Sequence, residues 1–351
     1  MMSIRRVHPG VYIKDELDAR EMTSKEFSIR SGISERMLSY IINGGSITFD
    51  VAYKLSTYFG NSIDFWTNLQ NAYDLYQKEE EIKKGIEEDW KLVKIIKQYL
   101  INHCYINNDD TKEDIVKKAR QLADVNNLTN LCKKDAFVIL KEQKGQNRDN
   151  DFYQNFWLAL ALNEARKRNS VPYNKEKLKT YLPDIRKMIT QDPSIFSEKM
   201  DSLFMECGIS FVLLPYLTKS DIYGATKWFS KDNVMLAVSN RSESADLFWF
   251  TIFHEISHVL MEHRRETLIN ARGIEDEEAD QMAADLIIPR KDWDAFIKQN
   301  VFTEYSIRKF AKQTNVLPCI VVGRLHKEKH LKDYGHLDKV FRVSYIIETE
   351  A

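Results

Sequence analysis

Phe248 to His263 reads FWFTIFHEISHVLMEH, the most apolar helical pattern of the chain. Its apolar residues, with Leu247, Phe250 and Phe253 ahead of the centre and Ile256, Val259 and Leu260 after it, predict a buried amphipathic helix over Asp246 to Met261. Inside that helix lies His254-Glu255-Ile256-Ser257-His258. Histidines four residues apart stand one turn apart on the same face, so both imidazoles can bind a single metal ion. Two imidazoles in an apolar helix also need a compensating partner. Zinc is the expected ion, from a donor set of histidine plus carboxylate that other divalent metals also accept. Glu255, next to the ligands, is placed to take a proton from an activated water as general base rather than to ligate.

A hydrolytic zinc site takes three protein ligands. After His258 come VLMEHRRETL, without the glycine and third histidine that would complete the set a few residues on. His263, five residues past His258, falls well round the helix and reads as a helix-end residue. The remaining source is the cluster Glu275-Asp276-Glu277-Glu278, which opens a helix continuing through Ala279, Met282, Ala283 and Leu286. Acids in a first helical turn complement the macrodipole, so capping accounts for most of these four. Extending the apolar stripe back by three or four residues reaches Asp276 and Glu275, with Glu278 at the flank.

Outward from these helices, the 351 residues suggest two or three domains. With 43% hydrophobic, 11% aromatic and 29% charged residues, the chain has enough apolar material for packed cores. Lys plus Arg total 51 against 52 Asp plus Glu, a net charge of -1, so no global field attracts nucleic acid or an anionic membrane, and any DNA contact must be local. Cys104, Cys132, Cys207 and Cys319 form no C-x-x-C pair and read as reduced thiols. Met1 to Asp15 lacks the apolar core of a secretory signal, and no apolar run approaches the ~20 residues of a membrane span, which makes the cytoplasm the expected address. Only 12 Gly and 7 Pro predict long helices. Three blocks follow: 1–77, with short helical patterns; 78–165, charged and helical, with Trp90, Leu92, Ile95, Ile96 and Leu100 expected on one face; and 166–351, with strand-like runs at Ile209 to Leu214 and Val234 to Val238. The polar tract Lys144 to Asp151 is expected to be a loop or hinge.

In the first block, Thr23 to Asn43 reads TSKEFSIRSGISERMLSYIIN. Thr23 with Glu26 forms a capping box for a short helix carrying Phe27, Gly32 permits a sharp turn, and Ser34 caps a second helix whose Leu38, Ile41 and Ile42 face inward. Ser34, Glu35, Arg36, Ser39 and Tyr40 are left outward, a polar face suited to base edges in a major groove, where Arg36 would read guanine or hold a phosphate. Among residues 1–76 acids slightly outnumber the eight cations, so affinity per monomer is expected to be modest, with a homodimer supplying further phosphate contacts.

His8-Pro9-Gly10, GISERMLSYIINGG, Ile47-Thr48, then FWTNLQ (Phe65 to Gln70) and Ala72-Tyr73-Asp74-Leu75 resemble the HigA-type antidote branch of Xre helix-turn-helix regulators. HEISHVLMEH, EEADQMAADLIIP (Glu277 to Pro289) and IVVGRLHKE (Ile320 to Glu328), with Gly224-Ala225-Thr226, resemble the ImmA/IrrE metallopeptidase domains. The second resemblance implies a gluzincin-like fold with a carboxylate third ligand. The matching position is Asp276, where Glu is usual, with Glu278 or Glu277 as alternatives. It also implies Asp280 as a partner for a ligand histidine. Arg324 is expected to orient a carboxylate, contact a substrate carbonyl, or form a structural ion pair. The fold class is therefore α+β and predominantly helical: an all-α helix-turn-helix domain, a helical middle region, and a metallopeptidase domain with a small sheet. Together the resemblances imply a transcriptional regulator that binds operator DNA and carries a Zn2+-dependent endopeptidase cleaving a repressor or regulator protein, its extended substrate pairing with an edge strand near Val234 to Val238. The alternative is an antitoxin that represses its own operon and neutralises a toxin, with a zinc domain that senses or scaffolds. Neither reading involves a membrane.

Overall fold

The computed structural model describes residues 7–132, 148–168, 171–241, 243–264, 274–331 and 335–345. The chain divides into two compact units, Met1–Glu88 and Asp89–Ala351. The division falls at Glu88/Asp89, within the charged helical block expected over 78–165. Of the expected loop at 144–151, residues 144–147 lie outside the described residues, while Arg148 to Asp151 already belong to a helix.

The first unit is helical: α1 (Pro9–Ala19), α2 (Ser24–Ser31), α3 (Glu35–Ile42), α4 (Phe49–Phe59) and the beginning of α5 (Ile63–Asn102). Its core gathers Ile13, Phe27, Leu38, Ile41, Leu55 and Trp66, all at or near zero exposure. The His8-Pro9-Gly10 motif has a local cause. His8 Nδ1 accepts from the Gly10 amide at 3.0 Å, and Pro9 takes the first helical turn, where a missing N–H costs nothing. A Cβ on Gly10 would lie 2.1 Å from the Ile41 carbonyl oxygen, so only glycine lets α1 pack against the end of α3.

The second unit begins with the end of α5, followed by α6 (Lys112–Leu122), a 3-10 turn at Leu128–Cys132, α7 (Arg148–Arg166), α8 (Lys175–Lys187) and α9 (Pro193–Glu206). Strands β1 (Ile209–Leu214), β2 (Gly224–Trp228) and β3 (Val234–Ser239) come next. Then come α10 (Ala245–Leu260), α11 (Ile274–Ile287), α12 (Arg290–Gln299), α13 (Glu304–Thr314), α14 (Pro318–Lys327) and α15 (His336–Phe341). The end of α5 buries Val93, Ile96 and Leu100, while Ile95 is exposed and Trp90 is covered by the ammonium groups of Lys94, Lys97 and Lys112. The face expected from Trp90 and Ile95 is thus rotated toward Val93. Asp89, fully buried on that helix, accepts from Arg120 Nε at 2.6 Å and from the Leu128 amide, and this pairing draws the helix toward the buried side.

The three strands run in the order β1-β3-β2, with β1 parallel and β2 antiparallel to β3. All six residues of β3 are buried. The expected edge strand at Val234 to Val238 is therefore the central one: an uninterrupted apolar run marks a strand covered on both faces, which does not reveal whether both of its edges are paired. β2, with Thr226 and Lys227, occupies an edge instead. α7 and α9 pack on β1, and α10 packs on β2 and β3. Trp249, Ile252, Phe253, Ile256 and Val259 of α10 are completely buried. Each contributes roughly 1.5–3 kcal/mol by leaving water, which fixes the rotation of α10 and hence the direction of its other face. Leu247 and Phe250 do not join that buried face: Leu247 is exposed and Phe250 half-buried.

Among the described residues no helix is long and apolar enough to cross a membrane. Cys104 and Cys132 are exposed, whereas Cys207 and Cys319 are buried, and burial raises their thiols to about 11 and about 12. Since the thiolate is the nucleophile, iodoacetamide near neutral pH should alkylate Cys104 and Cys132 in the native protein and reach Cys207 and Cys319 only in urea. Peptide mass mapping reads the outcome.

Candidate functional site

The face of α10 opposite its apolar anchor carries His254, Glu255 and His258. The two imidazoles meet edge to face, with His254 Nε2 and His258 Nε2 3.0 Å apart. From the first turn of α11, Asp276 Oδ1 reaches 3.3 Å from His258 Nε2 and 3.8 Å from His254 Nε2. Donor atoms at ~2.0–2.2 Å from a tetrahedral zinc stand about 3.3–3.6 Å from one another, a spacing that the triangle's sides of 3.0, 3.3 and 3.8 Å bracket. The aspartate, one methylene shorter than the glutamate usual at this position, still reaches. Glu277 and Glu278 are exposed, and the candidate ligand group among the described residues is His254, His258 and Asp276. The Glu275 side chain lies outside the described residues.

Hydrogen bonding behind the triangle decides its charge. His254 Nδ1 lies 2.8 Å from Asp280 Oδ1, and Asp280 Oδ2 accepts from Lys327 Nζ at 2.8 Å. His258 Nδ1 lies 2.8 Å from His263 Nδ1. In the tautomers where both Nδ1 atoms donate backwards, both Nε2 atoms present lone pairs to each other and to a carboxylate. The other Asp276 oxygen, Oδ2, is buried without a hydrogen-bond partner. Three converging lone-pair donors and an orphaned carboxylate oxygen are satisfied together by a cation. The His254 imidazole responds to the same field. Burial alone would lower its pKa, but the Asp280 hydrogen bond and the charges of Glu255, Asp280 and Asp276 hold it above the ordinary histidine range. Asp280 is held low against its burial by His254 and Lys327.

Glu255 is 3% exposed, lies next to the triangle in sequence and packs against β2. Its Oε2 accepts from the Thr226 hydroxyl at 2.6 Å, and a Cβ on Gly224 would come within 2.6 Å of its Oε1. Glycine at 224 is thus what lets β2 run against this carboxylate. Burial pushes Glu255 above the usual carboxylate range despite the opposing pull of His254, His258 and Thr226.

His263 is the helix-end residue expected, but it does not lie well round from His258. The helix closes at Met261, Glu262 takes φ 55° in the left-handed region, and the chain doubles back so that the His263 amide donates to the His258 carbonyl at 3.2 Å. That fold-back sets its ring behind His258. No periodicity signals it, nor does periodicity point to Thr226 or Lys327. Arg324 contacts none of the three ligands. Its guanidinium donates to Glu328 and Asp285 and to the carbonyls of Ala284 and Ile288, and it lies over Trp293. It ties α14 to the end of α11.

In the first unit, Ser34 caps α3 by accepting from the Met37 amide at 3.2 Å, and Gly32 ends α2 at φ 70°. Thr23 likewise accepts from the Glu26 amide, while the Glu26 carboxylate turns instead to Arg30. Leu38 and Ile41 are buried, Ile42 is half-buried, and Ser34, Glu35, Arg36, Ser39 and Tyr40 are exposed on α3 or its cap. Arg20, Arg30 and Lys54 are paired with acids on their own helices, but Arg36 has no acidic partner among the described residues. The Tyr40 ring lies over Gly45, where a Cβ would come within 2.3 Å of it. The FWTNLQ segment supports this reader from below: Trp66 Nε1 donates to Asn61 at 2.6 Å, and Gln70 accepts from the Ile47 amide at 3.1 Å.

Fold and site define a helix-turn-helix DNA-binding regulator joined to a metallopeptidase-type domain. A helix-turn-helix family model matches residues 13–66, and the model of peptidase family M78, described as the IrrE N-terminal-like domain, matches residues 208–326. Antitoxin HigA-1 of Vibrio cholerae is 36% identical over 91 residues, 26% of this chain and 83% of the relative. Virulence-associated protein A' of Dichelobacter nodosus is 37% identical over 86 residues, 24% of this chain and 75% of the relative. The uncharacterised HTH-type transcriptional regulator YddM of Escherichia coli is 33% identical over 75 residues, 21% of this chain and 80% of its own length. The chain belongs to the HigA-type helix-turn-helix family and carries an IrrE/ImmA-like domain of peptidase family M78 in its second unit.

Replacing Asp276 with Asn should abolish stoichiometric zinc in the purified protein, and Asp280→Asn should weaken zinc about 10–100-fold by loosening His254. Glu278→Gln should leave zinc content unchanged. Metal analysis and competition with a chromogenic chelator measure all three.

Proposed function

We propose that this protein is an operator-binding regulator whose second unit is a zinc endopeptidase acting on a repressor or regulator protein. The observation that carries the hydrolytic reading is Glu255. A site that only stores or senses zinc has no use for a buried carboxylate beside the ligands, oriented by a threonine hydroxyl and facing an edge strand.

His254, His258 and Asp276 would hold the zinc, which when bound polarises a peptide carbonyl and acidifies water. Glu255 accepts the proton of the attacking water at the carboxylate oxygen that Thr226 does not hold. Its burial favours keeping that proton until the leaving amine takes it. Asp280, neutralised by Lys327, keeps His254 in the tautomer that offers Nε2, and His263 does the same for His258. β2 has no strand beyond it among the described residues, so its outer backbone groups can pair an extended peptide beside Glu255. On α3, Arg36 is the cation free to reach a guanine or a phosphate, and a homodimer would double the contacts. Action on operator DNA places the protein in the cytoplasm.

The similarity to Antitoxin HigA-1 favours a second reading, in which the chain represses its own operon and neutralises a toxin. Wild type and Glu255→Gln, both loaded with zinc, separate the two. Cleavage of a co-encoded regulator by wild type, lost by about 10²-fold or more in the variant, is expected from a general base. Zinc in both proteins with no cleavage of any co-encoded partner removes the peptidase reading. For the reader, Arg36→Ala should weaken binding to the protein's own upstream DNA by roughly 1–3 kcal/mol in a mobility-shift titration. Absence of binding by wild type at low salt overturns the DNA reading.

A further inference from the structure

A pocket of about 520 Å³ opens between α10, α11 and α14, within the range of small-ligand sites. It adjoins the ligand triangle. Leu247 and Phe250 line it, and with His254 they stand at three- and four-residue steps on one face of α10. On α11 its lining includes Glu277, next to Asp276, and Asp280, which holds His254. Its walls are apolar where Leu247, Phe250, Ala284, Ile287, Ile288 and Ile320 meet.

The charges are unequal. Four carboxylates face the pocket, Asp246, Glu277, Asp280 and Glu328, against two cations, Arg324 and Lys327. Lys327 is committed to Asp280, and Arg324 to Glu328 and Asp285. Asp246 accepts from the Ser244 hydroxyl, and neither Asp246 nor Glu277 has a cationic partner among the described residues. The cavity therefore offers an apolar sleeve with two carboxylates in excess. A long aliphatic stem ending in a positive charge fits that combination, because the stem covers the walls while the head meets the acids. An acidic side chain would meet repulsion, and a plain aliphatic one would leave both acids uncompensated.

We infer that this pocket holds an arginine or lysine side chain of a peptide bound across the ligand triangle, and so selects substrates with a basic residue flanking the scissile bond. The inference rests on the peptidase reading for its substrate, but the pocket itself is testable without catalysis. The probes are blocked Gly-Gly-Xaa-Gly-Gly peptides with arginine, norleucine or glutamate at the centre, titrated into the full-length Glu255→Gln protein and followed by amide chemical shifts. Arginine should bind most tightly and shift the amides of Leu247, Gln281 and Gly323. Glu277→Gln, at an exposed position, and Asp246→Asn, which keeps its acceptor, should each weaken arginine binding by about tenfold without changing zinc content. Equal binding of norleucine and arginine, no binding of arginine, or unchanged affinity in both variants overturns the inference. Arginine binding retained in a protein whose wild type cleaves nothing supports the pocket and removes only the peptidase reading. Cleavage of regulator protein without preference for a basic residue removes the pocket assignment alone.

Discussion

The chemistry of the second unit depends on two imidazole nitrogens and a carboxylate oxygen held against one another in a place water scarcely reaches. Two imidazole nitrogens 3.0 Å apart and a carboxylate oxygen 3.3 Å from one of them repel unless a cation or proton lies between. The fold supplies the force that opposes this repulsion. The apolar side of α10 is locked into the core by Trp249, Ile252, Phe253, Ile256 and Val259, so the helix cannot rotate to relieve the histidines. Asp280 and His263 brace the imidazoles from behind. These residues form a group that could hold a metal ion, its ordering cost met by hydrophobic burial elsewhere.

The same economy of position governs the edge strand. β2 approaches α10 closely enough for Thr226 to hold Glu255 because residue 224 has no side chain. One oxygen of Glu255 is fixed by a threonine on a strand edge, while glycine leaves room for the other. In the first unit, another glycine plays a comparable part: Gly10 brings α1 against the carbonyl of Ile41, fixing the end of α3 and with it the face that presents Arg36.

Much of this was legible in the chain because the relevant signals are local. The HEISH spacing, the capping residues Thr23 and Ser34, the turn at Gly32 and the apolar run of β1 all act within a few residues, where helical and strand periods apply. Asp276 was reachable by extending an apolar stripe back by a turn. Positions that failed were those where the chain leaves its period or meets a distant segment. His263 returns to His258 through a left-handed Glu262, β3 proved central although it was expected at an edge, and the face of α5 is turned toward Val93 by a buried Asp89 paired with Arg120.

The sequence by itself determined the chemistry: two histidines at helical spacing, a glutamate between them, acids one helix later, and a capped polar helix in the first unit. Those are properties of residue type and short spacing. Only the tertiary structure decided which of the acids completes the triangle, that Arg324 clasps two helices and takes no part in the triangle, and that β2 is the strand beside Glu255. Each of those outcomes depends on side chains far apart in sequence competing for the same few ångströms, and packing settles such contests.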